Sequence, residues 1–144
     1  MDYETLSNCF VAVFEHYKTS ERKKFIVHDL QNDFEEFIEF LHTNKDEKQW
    51  HISFNGLAFD AQVTQYILNN CDLWSNMSGC AIAEVIYKFA QELWGINRSI
   101  TGKGVRETLK RISKHLPKLE IKSVQSGTKV FDWTVPKEWN VKEA

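Results

Sequence analysis

Apolar and polar positions alternate and cluster along this chain in patterns that change along its length. Cys9-Phe10-Val11-Ala12-Val13-Phe14 is continuously apolar and partly β-branched, which predicts a strand covered on both faces. Glu15 to Lys24 is polar and predicts an exposed turn, and Lys24 to His28 a second short strand. Phe34, Phe37, Ile38 and Leu41 fall at i, i+3, i+4 and i+7, one helical stripe, with Asn32 or Asp33 as its N-cap. Trp50 to Phe54 alternates like a strand, and Asn55-Gly56 turns the chain. Phe59, Val63 and Ile67 then mark a helix over about 58–69, and Ile82, Val85, Ile86, Phe89 and Leu93 a further helix from about Gly79. With the acidic opening segment as a strand, the first 92 residues read β-β-β-α-β-α-α, an α/β arrangement around a mixed sheet.

Beyond residue 93 the pattern differs. Arg98 to Gly104 is a polar, glycine-bearing loop. Val105, Leu109, Ile112 and Leu116 predict one helix, stopped by Pro117. Leu119-Glu120-Ile121-Lys122-Ser123-Val124 alternates apolar and polar positions and predicts a half-exposed strand. Ser126-Gly127-Thr128 predicts a turn, and Lys129 to Val135 the second strand of a hairpin. The tail is thus a small α+β segment.

Charge sharpens this division. Residues 1–92 hold 15 Asp and Glu against 7 Lys and Arg, whereas residues 93–144 hold 5 against 11. Nets of −8 and +6 therefore lie behind the overall −2, an asymmetry expected of two parts with different origins or partners, or of one fold with two charged faces. The 144 residues suit one ordinary domain, and 42% hydrophobic with 26% charged residues excludes a disordered chain. The apolar runs are far shorter than the ~20 residues of a membrane span, so no membrane association is expected. No charged-then-apolar leader opens the sequence, and Cys9, Cys71 and Cys80 have no metal-ligand spacing, so a reducing cytoplasm is the expected compartment.

The candidate chemistry starts at Asp2 and Glu4. Two acids at i and i+2 of a strand share a face, and Asp60, at the head of a helix, is placed to join them. Three such oxygen donors suit Mg²⁺ or Mn²⁺, and a pair of these ions activates water for phosphodiester cleavage. Read alone, Asp60 is equally a helix cap, and Asp2 and Glu4 are equally solvated acids. Asp2-x-Glu4-Thr5-Leu6-x-Asn8, together with Phe54-Asn55-Gly56-Leu57-Ala58-Phe59-Asp60, resembles the first two motifs of the DEDD-type 3′–5′ exonucleases of RNase H-like fold. The resemblance covers about residues 1–90 and implies metal-binding, catalytic roles for Asp2, Glu4 and Asp60. It sets Leu6 near the terminal base of a single-stranded DNA or RNA 3′ end, with Asn55 and Phe59 beside the substrate. The family's third motif, a Tyr or His a few residues before a fourth Asp, has no counterpart after residue 90. An enzyme of this kind would therefore be weak or inactive alone.

A second resemblance begins where the first ends. Leu93-Trp94-Gly95-Ile96-Asn97-Arg98-Ser99-Ile100-Thr101-Gly102-Lys103-Gly104-Val105-Arg106-Glu107-Thr108-Leu109 and Ser126-Gly127-Thr128-Lys129-Val130-Phe131-Asp132-Trp133-Thr134-Val135-Pro136-Lys137-Glu138-Trp139-Asn140 are similar to the N-terminal stretch of bacterial aminopeptidase-like proteins, relatives of zinc aminopeptidases. It runs from about residue 85 to Ala144. It implies zinc ligands downstream of the stretch, and hence a non-catalytic module in this part of the chain. The two resemblances divide the chain into 1–90 and 91–144 and meet inside one helix, as a fused reading frame would. Arg98, Lys103, Arg106, Lys110, Arg111 and Lys114 offer a phosphate-binding face or an ordinary solvated one. Trp133 and Trp139 offer base stacking or packing.

Overall fold

The computed structural model describes residues 1–53, 60–98 and 101–140. The chain is built of α and β elements, the class its pattern predicts. It divides into two compact units, Met1–Glu92 and Leu93–Ala144.

The first unit opens with a four-stranded antiparallel sheet, β1 (Asp2–Leu6), β2 (Cys9–Glu15), β3 (Arg22–His28) and β4 (Gln31–Asn32), joined in sequence order. Register explains its two faces, because residues opposite one another across a ladder share a side. Tyr3, Ala12 and Phe25 form one row, and Phe10 pairs with Val27 beside it. All five are buried. The intervening residues make the other face, where Asp2 opposes Val13 and Lys24, and Glu4 opposes Val11 and Ile26. The apolar run of β2 therefore buries Phe10, Ala12 and Phe14, while Cys9, Val11 and Val13 are only half covered.

Helix α1 (Phe34–Asp46) lies on the buried face of the sheet. Its Phe37 is fully buried and meets the rings of Tyr3, Phe10, Phe14 and Phe25 at centroid distances of 5.3–6.2 Å. Asp33 stands at the N-cap position, as expected, but its carboxylate does not cap the helix. It accepts instead from the Ile26 amide (2.9 Å) and the Gln31 side chain (2.8 Å), bracing β3 against β4.

Two more helices complete the unit, α2 (Ala61–Trp74) and α3 (Gly79–Trp94), whose last two residues fall past the division between units. Phe34 meets Trp74, and Tyr66 stacks on Phe89 at 4.1 Å. The start of α3 sits against the end of β3: a Cβ on Gly79 would come within 2.5 Å of the His28 backbone, so only glycine allows this approach.

The strand expected over Trp50–Phe54 is absent from its described part, Trp50 to Ser53. Side chains hold this segment instead of a ladder. His51 accepts or donates a 2.8 Å hydrogen bond with Asn44 and lies against the rings of Phe14 and Phe40, while the amino terminus donates to the Ile52 carbonyl.

The second unit holds α4 (Lys103–His115) and the short hairpin β5 (Lys129–Val130) with β6 (Trp133–Thr134). The single strand expected over 129–135 is folded on itself, with Phe131-Asp132 as a two-residue loop and Phe131 at a φ of 53°. That positive φ matches the twist of primed hairpin turns. Because its partner comes from within 129–134, the run 119–124 is left without a strand, contrary to its alternation. The turn at Ser126-Gly127 is present, closed by Thr128 N–H to Gln125 O at 3.2 Å, and Gly127 N–H donates across the hairpin to Val135 O at 2.8 Å.

Candidate functional site

The three carboxylates come first. Asp2 and Glu4 do share a face of β1, as the i, i+2 rule requires, and both are exposed. Tyr3, between them, points the other way. Its hydroxyl hydrogen-bonds Thr64 Oγ1 at 2.7 Å, and that hydroxyl donates to the Asp60 carbonyl at 2.8 Å. Asp60 is only 4% exposed and close enough for its charge to help raise the Tyr3 pKa, although burial is the larger cause. Asp60 thus lies beside the covered face and Asp2 and Glu4 on the open one, with the thickness of the sheet between. No group of three His, Cys, Asp or Glu side chains that could hold a metal ion forms among the described residues. The ligand set on which Mg²⁺ or Mn²⁺ was expected is not gathered. Leu6, expected near a terminal base, is 61% exposed at the end of β1. Asn55 and Phe59 lie outside the described residues.

A cleft that the sequence did not suggest opens elsewhere in the first unit. It encloses about 660 Å³ and is walled by Phe14, Phe40, His51 and Trp50, with Lys23 and Lys48 at its margin. Lys23 Nζ stands 5.1 Å above the Phe40 ring, a cation–π distance. His51 is held below its ordinary pKa, first by burial and second by the positive amino terminus. The only signal in the sequence is the aromatic clustering, which is indistinguishable there from core.

In the second unit the glycine-bearing loop is a packing device. A Cβ on Gly104 would overlap the Asn97 carbonyl oxygen, so α4 starts hard against the preceding loop. The segment 137–140 is tied to the same end of α4. Lys103 N–H donates to Asn140 Oδ1 (2.8 Å), Thr101 Oγ1 to the Lys137 carbonyl (3.2 Å), and the Arg106 guanidinium forks onto both Glu138 carboxylate oxygens. The fork holds the Glu138 carboxyl below the usual carboxylate range and raises Arg106. Arg111 pairs with Glu107 one turn away. The basic residues that offered either a phosphate face or an ordinary solvated one are therefore partly engaged within the unit. Arg98 carries a buried Nη1, and Thr108 a buried hydroxyl, without a hydrogen-bond partner among the described residues. Trp133 and Trp139 are more than half exposed rather than packed away.

Comparison with known proteins picks out this second unit. Residues 87–142 match the model of a family described as a domain of unknown function, DUF4910. Over 59 residues the chain is 66% identical to a Clostridium acetobutylicum protein named for polysaccharide biosynthesis and an aminopeptidase-like domain. That stretch is 41% of this chain and 13% of the relative's length. No solved structure matches. These findings support the aminopeptidase-like resemblance and overturn the expectation of an incomplete 3′–5′ exonuclease. The acids that suggested the nuclease are also split between the two sides of a sheet. No described helix is long and apolar enough to cross a membrane.

Proposed function

We propose that residues 87–142 are a structural, non-catalytic segment of an aminopeptidase-like domain, and that the 144 residues do not by themselves form a hydrolase. The observation that carries this is the 66% identity over 59 residues to the aminopeptidase-like relative, which we take to be the same stretch that the family model matches. Its internal ties support the reading. Gly104 against Asn97, and the return of 137–140 onto the head of α4, fix a backbone path rather than assemble reactive groups. A segment with that role contributes shape and buried surface to the chain around it.

The test is a chimera in which the shared residues of the Clostridium relative are replaced by those of this chain. It should fold with a melting temperature within a few degrees of the parent and keep whatever amino-acid anilide hydrolysis the parent shows. Failure of the chimera to fold would overturn the reading. So would chelator-sensitive anilide hydrolysis by the 144-residue chain alone.

A further inference from the structure

We propose that residues 119–124 are an unpaired β-strand that completes its ladder on a sheet edge in the remainder of an aminopeptidase-like domain, which the relative has and the shared stretch lacks. This rests on the function proposed above.

Three observations converge on it. The run Leu119-Glu120-Ile121-Lys122 alternates as a strand does, yet 119–125 pair with no strand among the described residues. Lys122 Nζ meets the Glu120 carboxylate at 3.1 Å, the contact expected of i, i+2 neighbours on one side of a strand, and the period of two would put Ile121 on the other. Ile121 is 53% exposed; Val124, 61% exposed, falls by the same period on the side of Glu120 and Lys122, and the hairpin that follows adds Phe131 at 99% and Trp133 at 52%.

A run that alternates and exposes apolar side chains, once extended, is a template for another strand. Its N–H and C=O groups are strong obligatory donors and acceptors that a ladder satisfies all together, and strand addition to an edge is a recurring way to do so. A two-stranded hairpin such as β5–β6 is marginal by itself in water, so it too gains from a neighbouring sheet. The occupant follows from length. The matched stretch is 13% of a relative that shares it at 66% identity, so in that protein most of the chain is available to cover these exposed apolar residues. A second copy of this chain is the competing occupant, and the experiment separates the two.

Backbone hydrogen exchange is measured at 120–124 in the full 144-residue chain, in the chimera, and at the corresponding amides of the unaltered relative. In the chain alone, exchange should lie within about tenfold of an unstructured peptide, and in the chimera it should slow by a factor of a hundred or more, as for ladder amides. Ile121→Asp should leave the melting temperature of the 144-residue chain unchanged and lower that of the chimera. Lys122→Thr should be tolerated in both. Protected amides in the chain alone, whether through self-association or its own residues, would overturn the proposal. A folded chimera in which 120–124 still exchange freely would overturn it while leaving the proposed function standing. Should the chimera not fold, the function falls, and the relative's own amides decide the strand: slow exchange upholds it and fast exchange ends it.

Discussion

Asp29 Oδ1 accepts a hydrogen bond from the Cys80 N–H at 2.8 Å, joining the β3–β4 turn to the first turn of α3 across 51 residues of sequence. Ser78 Oγ accepts from Ala81 N–H at 3.3 Å, so two of the helix's free amides are satisfied, one locally and one from the sheet. Gly79 makes the approach possible.

Gly79→Ala should therefore destabilise the first unit, because its methyl meets backbone that cannot turn aside. Overpacking of this kind costs about 1–3 kcal/mol, measurable by chemical denaturation. Asp29→Ala should act in the same direction. The Cys80 amide, first, and the Ser78 hydroxyl, second, hold the Asp29 carboxyl below its ordinary pKa. A depressed carboxyl stabilises above its unfolded pKa and loses that contribution as pH falls through the folded one. The loss of stability below about pH 4 should accordingly be shallower in Asp29→Ala than in the wild type.

Phe37→Ala should be the most damaging change in the sheet unit. It removes a fully buried ring that touches four others, and such truncations cost about 3–5 kcal/mol. Asp2→Asn and Glu4→Gln, on the open face, should each stay within about 0.5 kcal/mol. Adding Mg²⁺ or Mn²⁺ should shift the melting temperature equally in the wild type and in Asp60→Asn, since Asp60 and the Asp2–Glu4 pair occupy different sides of β1.

His51 gives the fold a pH dependence of opposite chemical type. Burial keeps its ring neutral in the folded chain, so the unfolded chain takes up the proton first. The stability it contributes is fully present above its ordinary pKa near 6.5 and declines as pH falls below that value toward the depressed one. His51→Gln should flatten a plot of melting temperature against pH between about 6.5 and 5.

Gly104→Ala should unfold or loosen the second unit, because the added methyl overlaps the Asn97 carbonyl at the head of α4. Loss of amide protection along α4, with the sheet amides unaffected, would be the signature. Retained protection in α4 would show that the loop can give way.

The helices were legible because each carries a stripe wide enough to read: Phe34, Phe37 and Leu41 in α1, Ile82, Ile86 and Phe89 in α3. Strands β2 and β3 were legible for the same reason. What could not be read was pairing. The alternation at 50–54 and at 119–124 says that a segment can be extended, not that a neighbour exists, and both segments lack one among the described residues. The three acids failed for a related reason. The period of two fixed Asp2 and Glu4 relative to each other, but which side of the sheet Asp60 would reach depends on where α2 packs, and that is decided by Tyr3, Thr64 and the aromatic core. The aminopeptidase-like stretch was legible because long strings of specific residues, unlike spacing, carry identity.

The open face of β1 has one more effect. Among the described residues β1 is the outer strand of its ladder order, the position at which a second copy of the chain would add a strand. A stranger's strand laid along it would bring its own Asp2 and Glu4 up beside these, carboxylate against carboxylate. Mutual repulsion there would oppose edge-to-edge pairing of two copies, a consequence of the two acids that needs no metal.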